Sequence, residues 1–387
     1  MAGGENASTG VRVCEVVSGD LWAGAEVMAA TLIPRLQGRN GLNVRTVLFN
    51  EGTLARRLRD WGLGVEVFDE AALGSLRLVG RLRSFFREFQ PQVIHSHGYK
   101  EQITATLAAS KVPHVRTLHG LPEPHVGWAS IKMRVYRGLE KWAIHRRTRY
   151  LVYVSQESME RLKKTGRAEK VLIHNGIDLG EIPANPDRPA LRRELRLSKG
   201  IPLIGAVGRL VPVKNLSSLL TAALILGGKD KRVHVVIVGD GPERMALQKK
   251  RDGLGLTRRV VFLGHRHDIH QVIAGLDVLV MPSLHEGLPM TLLEAMALGV
   301  PVVASRVGGI VEALGEMAEA CTVPSNDSAS LAAKIWELLS NPTLREQYAD
   351  WGIKRVREAF TAEKMAEDYA KLLFKAATQP PLIRGAE

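Results

Sequence analysis

The chain has 387 residues, 45 % of them hydrophobic but only 5 % aromatic. This length predicts two or three domains, and the composition favours an α/β protein over an all-β sandwich. No apolar run is long enough to span a bilayer, and the net charge of +13 attracts polyanions unless it serves solubility alone.

Cysteine usage and the first residues indicate the compartment. Residues 1–10 are small and polar, without the apolar stretch of a signal peptide. Cys14 and Cys321 lie far apart and match no metal-binding spacing. We therefore expect reduced thiols in a cytoplasmic protein, with no metal site and no cofactor.

Short strand-like segments alternate with helix-like segments in the first half of the chain. Helical periodicity is found in residues 25–36 and 76–89, and Leu76, Val79, Leu82 and Phe86 form one apolar stripe. The strand-like segments are residues 11–17, 44–49, 65–68, 93–95, 115–118 and 150–154.

A proline-rich stretch, residues 180–189, reads as a linker, and the alternation restarts after it. Strands are predicted at 203–207, 233–238, 260–263, 278–281 and 302–304, with helices at 216–226, 244–252, 292–298 and 331–339. Such alternation predicts parallel sheets with helices on both faces. The predicted fold class is α/β, with two doubly wound Rossmann-like domains facing across a cleft. Ligands are expected at the carboxyl ends of the strands.

Two motifs of the first half place residues that could bind a ligand after a predicted strand. Gly24 opens a helix after the first strand, where the backbone and the helix N-terminus could approach a phosphate. A tight strand–helix turn explains it equally well. His119 precedes Gly120 at another strand end and could point into a cleft, although single histidines are often core residues.

Three further motifs follow strands of the second half. Arg209 and Lys214 lie close enough in sequence for both to reach one diphosphate, or they are solvated loop charges. The run 238–243 is interpreted as a structural turn leading into a helix. At 264–266, Gly264, His265 and Arg266 could read a nucleobase, and a plain turn is equally compatible.

The longest motif runs from Pro282 to Pro301. Glu286 lies in the loop after a strand, and a helix is predicted to start near Met290. The free N–H groups of Met290, Thr291 and Leu292 could bind an anion. Glu294, about one turn into the helix, could accept hydrogen bonds from paired hydroxyls, although an acidic residue there is also favoured by the helix dipole.

Taken together, these segments resemble the family-4 retaining glycosyltransferases of the GT-B fold. The family's E-x7-E signature matches Glu286 to Glu294, its G-R-L-x-x-x-K-N segment matches residues 208–215, and its V-G-x-G-x-E and H-N-G-I-D runs match residues 238–243 and 174–178. Where relatives have Gly-Gly before Ala-Glu, this chain has Ala23-Gly24. The resemblance covers nearly the whole chain.

The resemblance implies a role for each residue. Arg209 and Lys214 would hold the donor diphosphate, Glu286 the transferred sugar and Glu294 the ribose. The N–H groups of Met290 and Thr291, with Leu292 beside them, would bind the distal phosphate. Residues 264–266 would meet the base, Gly24 a phosphate, and His119 the sugar's 6-hydroxyl. Residues 1–182 would form an acceptor-binding domain and 183–363 a nucleotide-sugar-binding domain, with a helix at about 364–387 packing back on the first.

The expected reaction is transfer from a nucleotide sugar, UDP-linked rather than GDP-linked, to a glycan or lipid-linked acceptor in cell-envelope polysaccharide or lipopolysaccharide biosynthesis. No Asp-x-Asp occurs, which disfavours metal-dependent transferases. A hydrolase with two carboxylates fits a phosphate-binding loop poorly. An epimerase using the same donor is the alternative, and nucleic-acid binding is ranked low because no Arg-rich module with interleaved aromatic residues is present.

One basic segment raises the question of a membrane partner. Residues 131–149 hold seven Lys and Arg against Glu140 alone. Ile131, Val135, Leu139 and Trp142 form an apolar stripe at helical spacing. A core-facing helix with a solvated basic face is favoured, and docking on anionic lipid is the alternative. The second would make the protein peripheral on the inner face of the membrane.

Overall fold

The computed structural model describes residues 10–20, 22–109, 111–120, 128–162 and 166–379, without the side chains of 128–135 and 137. Two compact units are formed, one by residues 1–175 with 362–387 and the other by residues 176–361. The domain boundaries predicted from the sequence, residues 1–182 and 183–363, stay predictions.

The first unit is built on a seven-stranded sheet in which all pairings are parallel. Its strands, in chain order, are β1 Val11–Val17, β2 Leu42–Leu48, β3 Gly64–Val67, β4 Val93–Ser96, β5 His114–Leu118, β6 Thr148–Tyr153 and β7 Glu169–Leu172. Their order across the sheet is β3-β2-β1-β4-β5-β6-β7. The order therefore reverses between β1 and β4, which makes this the point where a doubly wound sheet offers a crevice.

Helices connect the strands of the first unit. They are α1 Gly24–Leu36, α2 Thr53–Asp60, α3 Glu70–Phe89, α4 Tyr99–Ala108, α5 Trp128–Arg147 and α6 Gln156–Arg161. Asp69 caps α3 by accepting from the N–H of Ala71 at 2.8 Å. Within α3, Gly74 has a φ of 68° and breaks the helical path, and Leu76 is 90 % exposed. The predicted stripe is therefore wrong at Leu76, whereas Leu82 and Phe86 are buried.

The second unit repeats the plan with a six-stranded parallel sheet. Its strands are β8 Leu203–Val207, β9 His234–Val238, β10 Val260–Gly264, β11 Val278–Met281, β12 Val302–Ser305 and β13 Thr322–Val323, in the order β10-β9-β8-β11-β12-β13. The order reverses between β8 and β11. The predicted α/β fold class with two Rossmann-like sheets is confirmed.

Helices also cover this second sheet. They are α7 Ala190–Glu194, α8 Leu216–Lys229, α9 Arg244–Gly253, α10 Ile269–Ala274, α11 Met290–Ala297, α12 Gly309–Leu314, α13 Ala318–Cys321, α14 Ser328–Ser340 and α15 Pro342–Ala359. The strands are almost continuous runs of buried Val, Leu and Ile, as expected of a sheet covered on both faces.

The last helix, α16 Ala362–Thr378, returns to the first unit. Its Tyr369 is fully buried, and the Tyr369 hydroxyl lies 2.9 Å from Thr117 Oγ1 of β5. Arg149 donates to the carbonyl of Ala376 at 3.0 Å, so the C-terminal turn is also attached to this unit. Residues 380–387 of the predicted helix lie outside the described residues. No helix among the residues described is long and apolar enough to cross a bilayer.

Candidate functional site

The carboxyl ends of β8 and β11 form a small open pocket at the point where the strand order of the second unit reverses. Because these two strands are neighbours in a parallel sheet, the loops that follow them meet at one edge. The N–H of Leu284 donates to the carbonyl of Val213 at 2.8 Å and ties the two loops together. The pocket is lined by Ala206, Val207, Gly208, Arg209, Lys214, Leu216, Val280, Met281, Pro282, Ser283 and Glu286.

Lys214 and Glu286 form an ion pair in this pocket. Lys214 Nζ lies 2.7 Å and 2.9 Å from the two carboxylate oxygens of Glu286. The Glu286 side chain is only 8 % exposed, and the Ser283 hydroxyl donates to its Oε1 at 2.6 Å. The Glu286 carboxylate is thus held in place by Lys214 and by Ser283. Sequence reasoning placed Lys214 and Glu286 at strand ends but assigned no role to Ser283, which lies three residues before Glu286 in the same motif.

Glycines let the neighbouring loops approach the pocket closely. A Cβ on Gly308, which has a φ of +53°, would lie 1.9 Å from the carbonyl oxygen of Glu286. A Cβ on Gly239, with a φ of +124°, would lie 2.0 Å from the carbonyl oxygen of Gly208. Either substitution would force the backbone that carries a pocket residue to move. Gly308 was missed in the sequence, although two successive glycines soon after a buried strand are a sign of such an approach.

Arg209 and the start of α11 supply further groups for an anion. Arg209 is exposed beside Lys214 in the pocket lining. The N–H of Leu292 already donates to the carbonyl of Pro289 at 3.2 Å. The N–H groups of Met290 and Thr291, at the first two positions of the helix, have no intrahelical acceptor, as in any α-helix. Of the three predicted N–H donors, that of Leu292 is therefore already paired, and the anion-binding role of Met290 and Thr291 stays a prediction.

Glu294 lies on the second turn of α11, with its side chain 14 % exposed. His270 Nε2 lies 3.8 Å from its Oε1, and the neighbouring Glu294 carboxylate raises the pKa of His270 above its usual value. Sequence reasoning missed His270, since a single histidine on α10 carries no motif. The imidazole thus lies beside a carboxylate that the sequence singled out.

The predicted base-binding loop follows β10. The carbonyl of Gly264, whose φ is +70°, accepts from the N–H of Gly239 at 2.7 Å, and His265 is exposed. The Arg266 guanidinium is bound by two carboxylates: its Nη1 donates to Glu194 at 2.8 Å and its Nη2 to Asp268 at 2.7 Å. In this loop, His265 and the backbone are therefore the groups that a ligand could contact.

The other two predicted residues, Gly24 and His119, belong to the first unit. Gly24 is the first residue of α1, and a Cβ there would have no heavy atom within 4 Å among the described residues. His119 lies directly after β5, with its ring half-buried. Burial lowers the pKa of His119 well below its usual range, and the neighbouring His97 and Arg116 act in the same direction.

A buried polar network lies next to His119, at the strand-order reversal of this unit. Glu15 of β1 and His95 of β4 are register partners, and His95 Nδ1 lies 2.9 Å from a Glu15 oxygen. His97 Nε2 lies 3.0 Å from Glu15 Oε2, and its Nδ1 lies 3.2 Å from His119 Nε2. Sequence reasoning missed Glu15, although a glutamate inside an apolar strand is a visible anomaly.

Glu15, His95 and His97 could also be read as metal ligands. One donor atom of each lies within 4.8 Å of the other two. A carboxylate with two imidazoles is a set that zinc accepts. The hydrogen bonds already satisfy these atoms without an ion, however, and so the network does not require a metal.

Comparison with known proteins settles the family. The model for "Glycosyl transferases group 1" matches residues 187–355, and that for "Glycosyltransferase Family 4" matches residues 22–181. The chain is a GT-B glycosyltransferase of group 1. This family membership confirms the resemblance found in the sequence motifs.

Individual relatives agree with the family. The chain is 31 % identical to a 2-deoxystreptamine N-acetyl-D-glucosaminyltransferase of Streptomyces fradiae over 63 % of its own length and 62 % of that protein. It is 26 % identical to the lipopolysaccharide core biosynthesis glycosyltransferase LpsD of Rhizobium meliloti, over 86 % of this chain and 91 % of LpsD. Anabaena Alr3699/HepE, solved with UDP and glucose, is 25 % identical with a TM-score of 0.81, covering 94 % of this chain and all of that one.

Proposed function

We propose that this protein is a retaining, metal-independent hexosyltransferase that moves a sugar from a UDP-linked donor to a glycan or lipid-linked acceptor. The product would belong to cell-envelope polysaccharide or lipopolysaccharide biosynthesis. The observation that carries the proposal is the Lys214–Glu286 pair beside Arg209, at the strand-order reversal of a Rossmann-like unit. Relatives named for lipopolysaccharide and teichuronic acid biosynthesis support the acceptor class, and the UDP and glucose bound to HepE support the donor.

The cations of the pocket would bind the donor diphosphate. A lysine ammonium has three N–H donors, and Glu286 takes two of them, which leaves one for a phosphate oxygen. Arg209 offers a planar fork that matches two oxygens of a phosphate group. The N–H groups of Met290 and Thr291 would bind the distal phosphate at the start of α11. In the first unit, Gly24 would lie against a phosphate.

Glu286, Glu294 and His119 would hold hydroxyl groups. A carboxylate accepts about four hydrogen bonds, and Glu286 accepts three from Lys214 and Ser283, so one acceptor site on Oε2 remains for the transferred sugar. Glu294, with His270 beside it, would accept from the ribose. His119 would contact the 6-hydroxyl of the sugar. Gly264 and His265, with the backbone of Arg266, would meet the base.

The reaction is a front-face substitution. The bond between the anomeric carbon and the phosphate oxygen breaks, and the electron pair leaves with UDP. The acceptor oxygen bonds to the same face of that carbon, and its proton goes to the leaving phosphate. Negative charge on the phosphate grows along this path, so Arg209 and Lys214 stabilise the transition state more than the reactant. Both glutamates therefore act as hydroxyl-binding groups.

The acceptor would be reached at an anionic membrane surface on the cytoplasmic side. Leu139 and Trp142 of α5 are 42 % and 40 % exposed, which the core-facing interpretation does not explain. Ile131 and Val135 belong to the side chains outside the described set. Two exposed apolar side chains beside Lys141 and Arg146 form a surface that suits the headgroup region of an anionic bilayer.

A donor screen with product analysis tests the proposal. The wild type is incubated with UDP-linked and GDP-linked sugars, with and without a lipid-linked acceptor, and the anomeric configuration of the product is determined. We expect transfer only with acceptor and with retention. An isomerised nucleotide sugar formed without acceptor would instead identify an epimerase.

Variants locate the activity. Lys214→Ala and Glu286→Ala should each abolish transfer, because each removes a group that contacts the donor. Arg232→Ala, which removes an exposed cation of the same unit paired with Asp230, serves as the control and should retain full activity. Full activity of both pocket variants would refute the site assignment.

A further inference from the structure

Three neighbouring strands of the first unit bring four titratable side chains into one chain of contacts. β1 carries Glu15, β4 carries His95 and is followed by His97, and His119 follows β5. The Glu15 carboxylate and the His95 and His97 rings are at most 1 % exposed. The family resemblance assigns a role only to His119. The other three are buried polar groups that the proposed mechanism leaves unused.

Burial and the neighbouring groups together fix the charges of Glu15 and His97. By itself, burial would raise the pKa of Glu15, but the attraction of His95 and the hydrogen bonds from both rings lower that pKa to about 2. Burial and the neighbouring His95 lower the pKa of His97 to about 4. Glu15 is therefore a carboxylate near neutral pH, and His97 is a neutral imidazole with one N–H.

These charges decide where the protons lie. A carboxylate only accepts, so the Glu15 oxygens must receive the proton of His95 Nδ1 and that of His97 Nε2. His97 Nδ1 then carries a lone pair, and the atom 3.2 Å from it, His119 Nε2, must be the donor. Since His119 is also neutral, its Nδ1 is left without a proton.

The Nδ1 atom of His119 is buried and has no hydrogen-bond partner among the residues that the structure describes. An unsatisfied buried acceptor on a half-buried side chain indicates that a ligand supplies the hydrogen-bond donor. We propose that Glu15 and His97 are positioning residues that hold His119 in the tautomer with the proton on Nε2, so that Nδ1 accepts a hydrogen bond from a hydroxyl group of the bound substrate. This inference rests on the proposed function only for the nature of that hydroxyl.

The second branch of the network supplies a matched control. His95 Nε2 lies 2.8 Å from Thr117 Oγ1, and Thr117 Oγ1 lies 2.9 Å from the Tyr369 hydroxyl. Removing the Tyr369 hydroxyl perturbs the network from the side of His95, but His97 Nδ1, the acceptor for His119 Nε2, stays in place.

The tautomer can be read directly by NMR. The whole chain is labelled with 15N-histidine, the imidazole resonances are recorded without ligand, and His119 is assigned from the signals lost in His119→Asn. We expect a protonated Nε2 and an unprotonated Nδ1. A protonated Nδ1, or a fast mixture of the two tautomers, would overturn the proposal, and the spectrum that decides this is that of the wild type.

Variants then test the relay. His97→Leu removes the acceptor of His119 Nε2 and should give a mixture of tautomers, with kcat for transfer lowered roughly tenfold, as expected for one lost hydrogen bond, and KM for the donor within about twofold. Tyr369→Phe should keep both the tautomer and the rate. A His97→Leu variant with an unchanged His119 tautomer would refute the relay even if transfer is confirmed. If no transfer is found, the tautomer measured in the free protein still decides the inference.

Discussion

At the scale of single residues, the charges of the candidate donor site are paired before any ligand binds. Lys214 holds Glu286 by both oxygens, and Ser283 adds a third hydrogen bond. Such a pair keeps both side chains in one geometry, so that a donor meets an ordered site. A Lys214→Arg variant would not be a conservative change, because a planar guanidinium cannot make the same contacts as an ammonium.

Two of the buried histidines of the first unit, His97 and His114, are expected to lower its free energy of unfolding in mild acid, whereas Glu26, whose pKa burial raises to about 7, acts in the opposite direction. Burial lowers the pKa of His114 to about 3, and that of His97 is about 4. Below pH 6.5 the unfolded chain binds protons that the folded chain refuses, so each histidine makes the free energy of unfolding fall as the pH drops from 6.5 towards its folded pKa. Between pH 7 and pH 5 each should cost about 2 kcal/mol.

Urea denaturation at pH 7 and pH 5 measures this loss. Glu15 contributes no slope in this window, because its depressed pKa of about 2 makes its stabilisation complete above the unfolded value of 4.5 and lost only in stronger acid. His114→Gln should make the change in the free energy of unfolding between pH 7 and pH 5 less destabilising than in the wild type, by about 2 kcal/mol. An identical change in the two proteins would mean that the His114 imidazole is not buried as described.

The residue scale is also where sequence reasoning reached its limit. Glu286 and Lys214 were visible because they stand in motifs at predicted strand ends. Ser283 and His270 were not, because their role depends on which side chain lies across a loop or helix, 2.6 Å or 3.8 Å away. Contacts of that kind are set by tertiary packing, which periodicity does not encode.

At the scale of elements, α5 was the point on which two interpretations competed. The described part of the helix leaves Leu139 and Trp142 exposed next to basic side chains. An apolar stripe at helical spacing thus did not imply burial in the core. The stripe of α3 failed at Leu76 for a related reason, since the conformation of Gly74 interrupts the helix that would have carried it.

Replacement of Trp142 tests the role of α5. Trp142→Glu removes an aromatic anchor and adds a negative charge, so flotation with vesicles that contain an anionic lipid should fall several-fold at low salt. Trp61→Glu changes another exposed tryptophan of the same unit, 58 % exposed beside α2, and should leave flotation unchanged. If the wild type does not float with anionic vesicles at low salt, α5 is not a membrane-docking element.

At the scale of the whole molecule, the first six strands of one unit and the six strands of the other follow the same order across their sheets. The last helix, α16, then returns to the first unit. The alternation of short strands and helices made both sheets predictable, and the proline-rich stretch marked the change between them. The strand order itself could not be predicted, because the rule that parallel connections are right-handed and short narrows the possible orders without selecting one. The contacts of α16 could not be read locally, because Thr117 and Tyr369 are 252 residues apart.

Two aromatic residues of α16 test how strongly the helix is attached. Tyr369 is fully buried against the first unit, whereas Phe374 of the same helix is 43 % exposed. Tyr369→Ala should destabilise the first unit by about 3–5 kcal/mol through the cavity and the lost hydrogen bond. Phe374→Ala should cost less than about 1 kcal/mol. Equal shifts of the thermal midpoint would show that α16 is not part of that core.

The central claim is that the pocket around Lys214 and Glu286 binds the diphosphate of a nucleotide sugar. Isothermal titration of UDP into the wild type and Lys214→Ala tests it most directly, with Arg232→Ala as the control. Loss of one charge-assisted hydrogen bond should weaken UDP binding by roughly tenfold or more in Lys214→Ala, and leave Arg232→Ala at the wild-type affinity. Equal UDP affinities of the wild type and Lys214→Ala would contradict this account of the site.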